Sequence, residues 1–256
     1  MRWQKRRTFN QITIFVMLTI GVGLVIVSAF YSSSFLAILG VAIAFWGLIL
    51  FYITPVKHVP LTFLDASASS NADNIERILS EFDLAEKGVY LPPKNLRDIE
   101  SGLIFIPKTP RIGLPTPEEI TEKLCSKQKD SAFLTPPGLG LSRLFEKELG
   151  TSFVKIDFKH LQLVLPKILI EGLEIAENVE IHAQDNTITV EITGSILDSV
   201  CQATNNQLRT HAQVGCLLSS ALACVLAKVT GKPISIRNET VDPKTKITKI
   251  DYNIME

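Results

Sequence analysis

"NVEIHAQDNTITVEIT", residues 178–193, decides the class of the soluble fold. Val179, Ile181 and Ala183 alternate with polar residues, and Ile188, Val190 and Ile192 do the same after Asp185 and Asn186. Successive strand side chains point to opposite faces, so each run offers one apolar face. The Asp-Asn pair suits a tight turn, and the whole predicts a β-hairpin with one buried side. A second hairpin follows at the end of the chain, "ISIRNET" (234–240) and "TKIDYNI" (248–254), joined across "VDPKTK" (241–246).

Helices precede both hairpins. Asp157 is placed to cap a helix through "FKHLQLVLPKILIEGL" (158–173), interrupted at Pro166. A short helix around Ile196 to Cys201 and the polar "QATNNQLRT" (202–210) lead into "THAQVGCLLSSALACVLAKVTGKP" (210–233), a long apolar helix closed by its last four residues. The order helix, hairpin, helix, hairpin predicts an α+β fold over 150–256, with helices packed on an antiparallel sheet of about four strands.

Residues 57–149 read as a connecting region, partly helical and partly extended. Ile75, Ile78, Leu79 and Phe82 fall at i, i+3, i+4 and i+7, an amphipathic helix running to about Leu84. "KGVYLPP" and "SGLIFIPK" read as short strands. Pro107, Pro110, Pro115 and Pro117 mark an extended surface loop, and Thr116, Pro117, Glu118 and Glu119 a helix start. "LTPPGLG" is a loop ahead of the helix "LSRLFEKELG", closed by Gly150.

The N-terminal part, 1–56, is of another kind. From Thr8 to Val56 there are 49 residues without one charged side chain. "ITIFVMLTIGVGLVIVSAFY" (12–31) and "FLAILGVAIAFWGLILFYI" (35–53) are each long enough to span a bilayer core of about 30 Å at ~1.5 Å per residue. "SSS" (32–34) leaves room only for a tight turn, so a transmembrane helical hairpin is expected. Gly21, Gly23, Ser28, Gly40, Ala42 and Ala44 would allow close helix approach, and Tyr31, Trp46 and Tyr52 suit interfaces. "VSA" (27–29) resembles a cleavage site, but the apolar stretch exceeds a signal peptide's and a second span follows. Basic "RWQKRR" (2–7) stays cytoplasmic, which predicts a multi-pass cell-membrane protein with both termini in the cytoplasm.

Charge and motifs then exclude several activities. Of the 26 basic and 26 acidic residues, only Arg2, Lys5, Arg6 and Arg7 lie before residue 57, so the remainder carries a net charge of −4. A mildly acidic domain lacks the footprint of a nucleic-acid binder. There is no GxGxxG, no phosphate-binding loop, no CxxC and no HxxxH, so no cofactor and no metal are expected.

The cysteines read mainly as packing. On a continuous helix from Val214, residues Leu217, Leu218, Ala221, Leu222, Val225 and Val229 form one stripe. Cys216, Ser220, Ala223 and Ala227 form a small-residue face opposite, open to another helix, a second subunit or a ligand. Cys216 and Cys224 lie ~12 Å apart along such a helix, too far for a disulfide or a shared zinc ion. Reduced cysteines fit a cytoplasmic domain. A thiol nucleophile at Cys216 with His211 or His182 is the enzymatic alternative, and no cysteine-hydrolase signature surrounds it.

"VGCLLSSALACVLAKVTGKP" (214–233), followed by "ISIRNET" with Glu239 and Thr240, resembles the 4-vinyl reductase domain, a hydrocarbon-binding module related in fold to small subunits of TRAPP tethering complexes. The resemblance covers about Gly150 to Met255. It implies an apolar pocket between helices and sheet, often a dimer, with Cys216, Ser220, Ala223 and Ala227 lining pocket or interface. That family has further cysteines after the glutamate; here "VDPKTKITKIDYNI" has none, which withdraws support for a metal or redox site. The overall layout is similar to archaeal membrane-anchored proteins, a likeness that supplies no activity. The expectation is therefore a membrane-anchored, cytoplasm-facing, non-catalytic module that binds an apolar small molecule or acts in sensing or assembly. Its partners would be the lipid bilayer and a second copy or a membrane complex that uses it as a scaffold subunit.

Overall fold

A computed structural model describes residues 2–53, 61–95, 102–117, 119–120, 130–205, 208–242 and 244–255. The chain divides into two compact units, Met1–Val59 and Pro60–Glu256.

The first unit is a hairpin of helices α1 (Arg2–Tyr31) and α2 (Ser34–Ile53). Ser32 makes the turn with φ of 48°. Gly21, Ser28, Gly40 and Gly47 are buried along the seam, with a spacing of seven on each helix. A Cβ on Gly21 would come within 2.9 Å of Ala44, and one on Gly40 within 2.9 Å of Val25 and the Gly21 carbonyl. Backbone-to-backbone packing of this kind needs glycine. Gly23, expected at the seam, meets nothing within 4 Å, and Ala42 is exposed; Gly47 against Leu18 is the contact the sequence reading missed. The apolar stretches among the described residues are Phe15–Tyr31 and Ser34–Ile49. The helical run Arg209–Thr230 is long and apolar enough to cross a membrane, but 78% of its most apolar window is buried within the second unit, which makes it a core helix.

The second unit is α+β. Helix α3 (Leu61–Glu81) precedes strands β1 (Val89–Tyr90), β2 (Ile104–Pro107) and β3 (Ser131–Leu134). Then come α4 (Leu139–Leu149), α5 (Phe158–Lys167) with a further π turn to Gly172, and the hairpin β4 (Asn178–Gln184) and β5 (Thr187–Thr193). Short helices α6 (Asp198–Asn205) and α7 (Leu208–Val214) lead to α8 (Leu217–Thr230), and β6 (Ile234–Asp242) and β7 (Ile247–Ile254) end the chain. All seven strands form one antiparallel sheet in the order β3-β2-β1-β6-β7-β5-β4.

Both expected hairpins are present, with Val179 opposite Ile192 and Ile181 opposite Val190. Ala183, however, is exposed. The sheet has seven strands rather than about four, because β1, β2 and β3 from the connecting region pair onto β6 and continue it. The sheet thus takes strands from both sides of Gly150, where the sequence pattern begins the C-terminal α+β region. Helix α3 begins at Leu61, well before Ile75, and the helix expected after Pro117 falls largely on residues outside those described.

One face of the sheet carries the main core. Ile188, Val190, Ile192, Ile250 and Tyr252 pack with Phe145, Leu161, Leu165 and the buried run Leu218 to Ala227 of α8. On the other face Val89, Phe105 and Phe133 form a smaller cluster with Ile112 and Leu114 from the proline-rich loop. The long apolar helix of the sequence is two helices. Gly215, at φ of 76°, stops α7, and Cys216 starts α8 as its N-cap. Only glycine fits there, since a Cβ would overlap the Ile236 side chain and the Ser219 hydroxyl.

Candidate functional site: a buried cysteine–glutamate centre

The break at Gly215 creates a site that no linear spacing encodes. Because Cys216 caps α8 instead of lying within a helix, its side chain turns back toward α6, and Cys201 of α6 forms a disulfide with it. Both cysteines are buried, at 3% and 1% exposure. For Cys201 and Cys216 the pairing replaces the expectation of reduced cysteines, and among the described residues Cys224 is free and buried. Cys216 is held tightly. Its amide donates to Ser219 Oγ (2.8 Å), while the Ser219 amide lies 3.5 Å from its sulfur, a capping box built with cysteine.

Strand β6 supplies the third member. Ile234 and Ile236 face the core, and unbroken alternation would next bring Asn238 inward. A bulge between Ile236 and Asn238 inserts Arg237 and reverses the phase, so Glu239 opposes Ile250 on the core side. Its side chain is only 3% exposed. One sulfur from each cysteine and a Glu239 carboxylate oxygen lie within 4.8 Å of one another.

The Glu239 carboxylate accepts no hydrogen bond from the described residues at either oxygen. The buried hydroxyls around it are committed elsewhere: Tyr90 donates to the Val214 carbonyl and Tyr252 to the Ser219 carbonyl (2.9 Å). Burial lifts both phenols well above the ordinary tyrosine range, and the Glu239 charge adds to it, so they stay neutral donors. His211 of α7 faces it, with Nε2 3.5 Å from Glu239 Oε1 and its side chain 14% exposed. It sits at the outer edge of the centre. Its helix is fixed from α3, whose Glu76 carboxylate accepts from the Thr210 amide (3.0 Å) and hydroxyl (2.9 Å).

The small-residue face of α8 serves another purpose. Ser220 Oγ accepts from the Gly138 amide at 3.0 Å, and a Cβ on Gly138 would overlap the Ala221 backbone. Ala223 and Ala227 are fully buried in the same core. Of the four residues proposed from sequence, only Cys216 joins the centre; Ser220, Ala223 and Ala227 are in the core of α8, with Ser220 against the start of α4. His182 lies on exposed β4 beside Glu180, apart from any cysteine of the centre. Sequence reasoning missed Cys201 as a member and found Glu239 only through the resemblance. The signal within reach was Gly215 itself, a residue that ends helices, placed directly before a cysteine.

No curated protein and no solved structure matches the chain. A family model does, over residues 2–252, and by that match the chain belongs to the family described as domain of unknown function DUF7982.

Proposed function

We propose that the chain is a membrane-anchored, non-catalytic sensing module whose input is the thiol–disulfide state of Cys201 and Cys216. The observation that carries the reading is the disulfide itself, buried beside the Glu239 carboxylate and joining α6 to the N-cap of α8. Both sulfurs are buried, so thiol–disulfide exchange takes place in a locally opened state of α6 and the start of α8, which suits a slow switch better than a turnover site. Disulfides in a cytoplasmic setting are characteristically transient and redox-sensing. Opening the bond is a two-electron exchange. An external dithiol of the thioredoxin class gives up two electrons and two protons, leaving two protein thiols and one external disulfide. It frees the N-cap of the most deeply buried helix, and so couples redox state to the packing of α6 and α7. The anchor belongs to the same reading. Phe15, Phe30, Phe35 and Ile38 of the helical hairpin are 72%, 83%, 75% and 71% exposed, a surface suited to lipid.

The full chain in detergent, poised in thiol buffers of graded potential and then alkylated, tests this. Cys201 and Cys216 should gain or lose two labels together in one transition. Cys224, its thiol pushed by burial up to about 12, is the silent control in the folded protein. A pair that keeps one state at every potential until the protein is denatured would sink the sensing reading.

A further inference from the structure

We infer that the reduced pair, together with Glu239, binds a thiophilic divalent cation of the zinc class, with His211 supplying the fourth donor. The inference rests on the opening of the disulfide proposed above. It begins from the buried Glu239 carboxylate, 3% exposed and without a hydrogen bond from the described residues at either oxygen. A buried carboxylate whose contact is one imidazole at 3.5 Å, with no hydrogen bond from the described residues, is expensive, and nearby side-chain hydroxyls spend their protons on backbone carbonyls. A cation is the partner that this arrangement lacks.

Geometry and chemistry agree. Zinc binds sulfur at ~2.3 Å and carboxylate oxygen at ~2.0–2.2 Å, which sets tetrahedral donors roughly 3.5–3.8 Å apart. The three donor atoms here already lie within 4.8 Å of one another, and His211 Nε2 is 3.5 Å from the carboxylate. Two thiolates and a neutral imidazole with one carboxylate make a soft, closed donor set of the structural zinc type. The second shell is also present: the Ser219 amide points at the Cys216 sulfur at the start of α8, where a helix N-terminus favours a thiolate. Metal entry displaces one proton from each thiol, so two protons leave as the cation binds. Oxidation to the disulfide by an external disulfide, which takes up the two electrons and leaves as two thiols, removes both thiolates and expels the ion, making metal and disulfide alternative states of one centre.

Cobalt(II) is the probe for the test, added to the full chain in detergent after anaerobic reduction with a phosphine. One equivalent should bind, with a near-ultraviolet thiolate charge-transfer band and the visible bands of tetrahedral cobalt. Diamide-oxidised protein should show neither. Cys201→Ser and Glu239→Gln should each weaken binding by about tenfold or more, and His211→Ala should weaken it while keeping the charge-transfer band. Reduced protein without that band, or Cys201→Ser and Glu239→Gln binding as tightly as the parent, would overturn the inference. The alkylation titration separates the two readings. Cysteines that bind cobalt but never oxidise would defeat the switch and leave the metal site; cysteines that cycle without binding cobalt would defeat the metal site alone.

Discussion

At the scale of single residues, Glu239 is where stability and function oppose each other. Its carboxylate is desolvated, its hydrogen-bonding capacity is unused, and His211 at 3.5 Å compensates only in part. Leaving such a group buried costs on the order of 1–3 kcal/mol. Glu239→Gln keeps the shape and removes the charge. In the oxidised, metal-free protein it should therefore raise the melting temperature by a few degrees, while weakening cobalt binding by the reduced form. Calorimetry of the two proteins decides it: an unchanged or lower melting temperature for Glu239→Gln would mean that the carboxylate is satisfied in the disulfide state. Cys201 shows why the centre was hidden in the sequence. It lies fifteen positions before Cys216, the pair forms no short motif such as CxxC, and the meeting depends on the chain reversal at Gly215. Treating 210–230 as one helix sent the Cys216 side chain to the wrong face.

At the scale of elements, what could be read followed the length and regularity of the pattern. The hairpin of β4 and β5, the cap of Asp157 on the His160 amide (2.7 Å) and the left-handed Gly150 after α4 all follow from local signals. Strand β3 does not: "SAFL" is buried at every position, so it shows no alternation, and its pairing with β2 is set by the tertiary fold. The junction of α4 and α8 is likewise tertiary, and it titrates. Burial alone would raise the Glu146 pKa, but donors from Lys228 Nζ (2.7 Å), Ser152 and the Phe153 amide outweigh it and hold the carboxyl below its ordinary value. A folded-state pKa below the unfolded one gives stability that is full above the unfolded value and is lost as pH falls through the folded one. Glu146→Gln should cost about 1 kcal/mol near neutrality and progressively less from about pH 4.5 downward. Urea midpoints of the two proteins across that range measure it. A gap that stays constant as pH falls would show that the lost contacts are not those of the ionised form.

At the scale of the whole molecule, a helical hairpin with apolar faces and a cysteine-bearing α+β unit occupy one chain, and the family match covers both. The proposed anchoring follows from opposite solutions to burial in the two units. In Pro60–Glu256 the apolar side chains of α8 are packed away from solvent, with Leu218 through Ala227 buried. Among the described residues of the helical hairpin, Gly21, Ser28, Gly40 and Gly47 line the seam while Phe30, Phe35, Phe45 and Trp46 are exposed. That inversion fits a hydrocarbon solvent, where helix association depends on close packing because lipid is as apolar as leucine. The chain should therefore stay in the membrane pellet through an alkaline carbonate wash. Protease added to inverted vesicles should remove the larger unit, and protease outside right-side-out vesicles should spare it, as basic residues before the first helix require. Gly21→Leu with Gly40→Leu would force the helices apart where the Cβ positions fall within 3 Å of the facing helix, and should lower the yield of membrane-inserted chain while leaving the cobalt and alkylation behaviour of Cys201 and Cys216 intact. Release by carbonate would remove the bilayer from the proposed function. Retention with the larger unit cut only from outside would keep the anchor and reverse its orientation, placing Cys201 and Cys216 in an oxidising compartment where their disulfide is structural.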